Sequence, residues 1–150
     1  MKRLIIVCLA LSILFPVAAF ASLDDFLSSV NVQARVDLPG FSAKVSTQFG
    51  VPVTQVQAVL QTVHEPADAF MIFQLGQFAK APSDRVIEVY KPNKKKGWGA
   101  IAKELGIKPG SKEFHALKSG DLQFTGAPAG SGGDSPGKGK SKGKGKGHNK

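Results

Sequence analysis

Cysteine is nearly missing from this chain: Cys8 stands alone, and it lies inside an apolar run near the N-terminus. No disulfide framework can be built, and no thiolate chemistry is expected of the rest of the chain. A lipoprotein would need its cysteine at a cleavage point, whereas Cys8 sits mid-run. Tryptophan and tyrosine occur once each and histidine three times. The motifs HExxH and GxGxxG are absent, which removes the common zinc hydrolase and dinucleotide-binding readings. No stretch after the first twenty residues is long and apolar enough to cross a bilayer, so no integral membrane segment is expected after processing.

What the N-terminus does contain is a secretory pattern. Lys2 and Arg3 precede an apolar run from Leu4 to Ala19, which ends in Ala19-Phe20-Ala21. A charged start, a short apolar stretch and a small-x-small exit predict a signal peptide over residues 1–21, cleaved after Ala21. An uncleaved anchor is the competing reading, and Pro16 interrupts the run that it would need. The expected location is the periplasm or the exterior.

Charge is unevenly spread. The whole chain is formally +9, yet residues 22–130 carry twelve Lys/Arg against ten Asp/Glu. Residues 131–150 hold six lysines and one aspartate, with glycine between most of them. That composition cannot anchor a packed segment, and it predicts a disordered Gly/Lys-rich tail. The basic character is therefore mostly a property of the tail. The remainder, residues 22–130, predicts a single domain.

Period-two patterning in residues 30–49 points to a β-hairpin. Val30, Val32, Ala34, Val36 and Leu38 alternate with polar residues, and after Pro39-Gly40 the alternation resumes with Phe41, Ala43, Val45, Thr47 and Phe49. Pro-Gly itself fits the preferred two-residue hairpin turns poorly, which leaves room for a longer loop. Beyond Gly50 the spacing becomes helical. Helices are predicted over 53–63, over 66–80 from Pro66, from a Ser83 cap to Tyr90 with Pro92 as the stop, from Trp98 to Gly106, and from a Ser111 cap to Gly120. Leu122 and Phe124 suggest a brief third strand. The expected fold class is α+β: an N-terminal β-hairpin packed against about five short helices.

Three groups are candidates for function. Lys94, Lys95 and Lys96 beside Trp98 suit an anion-binding patch with an aromatic platform for phosphate, nucleic acid or an anionic sugar. The plainer alternative is a solvated loop with Trp98 turned to the core. In the tail, Lys138, Lys140, Lys142, Lys144 and Lys146 suit salt-sensitive attachment to envelope or extracellular polyanions, the alternative being a solubilising appendage. His64-Glu65 and Glu113/His115 invite a metal or proton-transfer reading, but neither pair has ligand spacing. His148 is a lone histidine in the tail. No catalytic residue, metal ligand or cofactor is expected, and the chain reads as non-enzymatic.

Two further surfaces enter as alternatives. The helix over 66–80 is apolar nearly all round and must be covered by something, so it could serve a protein partner or self-association. Residues 91–118 include a helix, a turn at Gly106–Gly110 and a second helix, and so carry a weaker nucleic-acid reading.

The run GWGAIAKELGIKPGSKEFHALKSG (97–120) follows PADAFMIFQLGQFAKAPSDRVIEVY and precedes the Gly/Lys tail. It resembles a group of small exported bacterial proteins that share a GWGxIAKxLGIKPGSxEFHALKxG segment. The resemblance implies export and a single shared domain, and it transfers no site residue.

Overall fold

The computed structural model describes residues 22–127. The expected signal peptide and the tail with its lysines lie outside the described residues. Within them all regular structure is helical: α1 (Leu23–Val36), α2 (Leu38–Phe49), α3 (Val53–Leu60), α4 (Pro66–Ala79), α5 (Ser83–Asn93), a 3-10 turn (Lys94–Lys96), α6 (Trp98–Glu104) and α7 (Lys112–Ser119). The α+β expectation is thereby corrected, for neither the hairpin nor the third strand is present among the described residues.

The hairpin segment is two helices joined at Asp37. α1 begins in a capping box: Ser22 Oγ accepts from the Asp25 backbone N–H, and the Asp25 carboxylate accepts from Ser22 N at 3.1 Å and Ser22 Oγ at 2.8 Å. These hydrogen bonds, the side-chain one foremost, hold the Asp25 carboxyl below its ordinary range. Leu23, Phe26, Leu27, Val30 and Ala34 then form one inward stripe at helical spacing. Of the supposed alternating set, Val30 and Ala34 are fully buried while Val32 and Val36 are 60% and 83% exposed. Their period-two pattern is shared out over both sides of a helix.

Asp37 explains why Pro39-Gly40 is not a turn between strands. Its carboxylate accepts from the Gly40 N–H at 2.8 Å and so caps α2, with Pro39 in the first turn, where a missing N–H costs nothing. The carboxylate occupies the place a Cβ at position 40 would take, so glycine is required by the cap. Phe41 and Val45 face inward, while Ala43 and Thr47, their expected companions on one strand face, are exposed.

α4 is the central helix. Ala67 and every residue from Ala69 to Gly76 are buried, covered by α1, α2, α3 and α5. Phe70 is fully enclosed and meets the rings of Phe26, Phe49 and Phe124 at 5.4, 5.4 and 5.7 Å. The apolar face expected to seek a partner is therefore covered by the chain itself.

Several boundaries also move. α5 continues through Pro92 to Asn93, and Ser83 is its first residue rather than its cap; the Ser83 hydroxyl accepts from Gln55 Nε2 at 2.9 Å. Ser111 does cap α7, accepting from the Phe114 N–H at 3.2 Å. After α7 the chain runs back without regular structure, pinned by Gln48. Gln48 Nε2 donates to the Gln123 carbonyl at 2.7 Å, and its Oε1 accepts from the Thr125 and Gly126 N–H groups. Phe124, expected in a strand, instead packs on Phe41 and Phe70.

Candidate functional site: an exposed lysine turn

The lysine run lies where α5 gives way to α6. Asn93, the last residue of α5, is buried. Its Nδ2 donates to the Val89 carbonyl at 3.0 Å and to Glu104 Oε2 at 2.6 Å. That side chain ties the end of α5 to the end of α6 and sets the span between them. Lys94, Lys95 and Lys96 occupy this span as a single 3-10 turn, and all three are exposed. Gly97 then adopts φ 84° to start α6, a conformation that glycine reaches without strain.

Among the described residues no carboxylate forms an ion pair with this turn. The ion pairs among the described residues are Arg35–Glu65 and Arg85–Glu88, and neither involves the turn. Lys94 Nζ lies 3.0 Å from His64 Nε2. An ammonium has only hydrogens to offer, so the ring nitrogen accepts. Lys95 and Lys96 make no side-chain hydrogen bond among the described residues.

Trp98 stands next to the turn as the first residue of α6. It is half-buried, and one face of its indole is stacked on Tyr90, with ring centres 5.2 Å apart and planes 19° apart. Tyr90 in turn donates its hydroxyl to Asp68 Oδ2 at 2.8 Å. Burial above all, with the Asp68 hydrogen bond and charge behind it, pushes the Tyr90 phenol well above its ordinary value. Trp98 thus serves as the wall that closes α6 onto α5, with one ring face already taken.

The other proposed chemistry is not assembled. His64 meets Lys94, and Glu65 pairs with Arg35 at 2.9 Å. Glu113 and His115 are both exposed on α7. Lys138, Lys140, Lys142, Lys144 and Lys146 lie outside the described residues.

Two lysines that local pattern did not single out belong to the same side of the molecule. Lys96, Lys103 and Lys118 together line an open cleft of about 540 Å³ between the start of α1, α6 and α7. No motif connects them. The chain reverses between α6 and α7 through Gly106 at φ 85° and Gly110 at φ 97°, and only that reversal brings Lys118 to the cleft. No family model, curated protein or solved structure matches this chain.

Proposed function

We propose that this is a non-enzymatic exported protein, periplasmic or secreted, that holds anionic polymers of the envelope or the surroundings through lysines. Two sets act together: the turn Lys94–Lys96 and the tail lysines Lys138, Lys140, Lys142, Lys144 and Lys146. The observation that carries this reading is the turn itself. Three consecutive ammonium groups project from one exposed turn, without a carboxylate partner among the described residues, on a backbone that Asn93 holds from beneath. Clustered exposed cations attract polyanions in proportion to their number and lose that attraction in salt.

The near balance of charge over residues 22–130 supports the same reading, because the attraction then comes from local clusters and not from a net field. Export rests on the charged start, apolar run and Ala-Phe-Ala exit of residues 1–21.

Elution from immobilised heparin along a salt gradient tests the proposal. Replacing Lys94, Lys95 and Lys96 by glutamine is expected to lower the eluting salt, replacing Lys138, Lys140, Lys142, Lys144 and Lys146 to lower it as well, and the combination to remove most of the retention. Retention unchanged by both sets of substitutions contradicts it.

A further inference from the structure

The cleft between the start of α1, α6 and α7 mixes two chemistries. Lys96, Lys103 and Lys118 reach it from the 3-10 turn, α6 and α7, and the one acid beside them is Asp24 in the first turn of α1. Between the lysines lies the half-buried Leu23, with the buried Phe114 and Leu117 beneath it and Ser22, Gly99 and Ala100 alongside. All three lysines are exposed, and none takes part in an ion pair among the described residues. The Lys103 ammonium also lies 5.9 Å from the centre of the Phe114 ring, within reach of its π face. A lysine lays its stem along apolar surface and keeps its head in water. Three such side chains around an apolar floor ring that floor with positive charge.

The dimensions select among ligands. About 540 Å³ falls within the range of roughly 300–1,000 Å³ typical of small-molecule sites. A bare inorganic anion would leave the apolar lining unused, and a neutral apolar molecule would leave three ammonium groups unanswered. We propose that this cleft binds a free single-chain organic anion, a fatty carboxylate. Its carboxylate lies among Lys96, Lys103 and Lys118, and the adjoining methylenes lie along Leu23, Ala100 and the accessible edge of Phe114. Asp24 repels the carboxylate and keeps it on the α6–α7 side. The site overlaps the polymer-binding turn at Lys96 alone, since Lys94 and Lys95 do not line the cleft.

Titration calorimetry and amide NMR on the purified full chain test the assignment, with laurate below its micellar range, inorganic phosphate and phosphatidylglycerol vesicles as probes. Laurate is expected to bind saturably and to shift the amides of Ala100, Lys103 and Leu117. Lys103→Gln with Lys118→Gln should weaken laurate roughly five- to tenfold, the worth of two exposed charge contacts. Gly99 lines the cleft, and a Cβ added there meets nothing within 4 Å. Gly99→Leu should therefore block laurate and leave the remaining amide spectrum in place. Lys94→Gln with Lys95→Gln should lower heparin retention and leave laurate affinity unchanged, which separates this proposal from the polymer reading. The proposal is overturned by absence of saturable laurate binding, or by affinity indifferent to the Lys103 and Lys118 substitutions. Phosphate binding as tight as laurate, or vesicle binding in place of free laurate, overturns it equally.

Discussion

Tyr90 and Trp98 stack at 5.2 Å across the junction of α5 and α6, and they are the only tyrosine and the only tryptophan of the chain. Each therefore reports on this junction without interference. Because the folded phenol titrates above the unfolded value of 10.0, the neutral form is the one the fold prefers. The sign follows from linkage: this contribution is complete below pH 10 and is lost as pH rises through the folded value. Tyrosinate absorbance should appear only at strongly alkaline pH, together with loss of the Trp98 environment. Tyr90→Phe should be less stable than the parent at neutral pH and should lack this alkaline component of unfolding. A phenol that ionises near its ordinary value in the folded protein would contradict the packing described.

Asp37 serves two helices, closing α1 through its N–H to Gln33 O at 3.2 Å and capping α2 through its carboxylate to Gly40. Asp37→Ala should destabilise the protein by about 1 kcal/mol, the usual worth of an N-cap. Asp37→Asn should recover most of that loss in urea unfolding, since the amide oxygen can accept the same bond.

Gln48 is the clasp for the segment after α7, with hydrogen bonds to Gln123, Thr125 and Gly126. Gln48→Ala removes all three. At about 0.5–1.5 kcal/mol for each bond, a loss of about 2 kcal/mol is expected, with faster amide exchange at Thr125 and Gly126. Exchange unchanged at both amides would show that Phe124 alone holds the segment.

Lys80 ends α4 at φ 52°, the one non-glycine residue with positive φ among the described residues. A side chain there carries steric cost that glycine does not. Lys80→Gly should raise stability by roughly 0.5–1 kcal/mol, measured as a higher urea midpoint at unchanged slope.

How the sequence misleads at residues 30–49 has a physical cause. Val30 and Ala34 are four apart, as are Phe41 and Val45, so each pair fits a helix stripe and a strand face equally well. What separates the two readings lies at the edges of the segment. Ser22 and Asp25 form a capping box, and Asp37, Pro39 and Gly40 form a helix start; counting from Leu23 instead of Val30 exposes the stripe Leu23, Phe26, Leu27, Val30, Ala34. Farther along, Pro66, Ser111 and Gly120 mark helix ends in the sequence and hold those places in the structure. The candidate site divides in the same way. Lys94–Lys96 is legible because it is contiguous. The cleft is not, because Lys103 and Lys118 join Lys96 only after α7 folds back on α6.

The most direct test of the central claim is the salt dependence of heparin affinity for the full chain and for its Lys94→Gln, Lys95→Gln, Lys96→Gln variant. If the turn binds polymer, the slope of log affinity against log salt should fall by roughly one unit for each lysine removed. An unchanged slope, with affinity equal to that of the parent, would show that the turn does not hold polyanions.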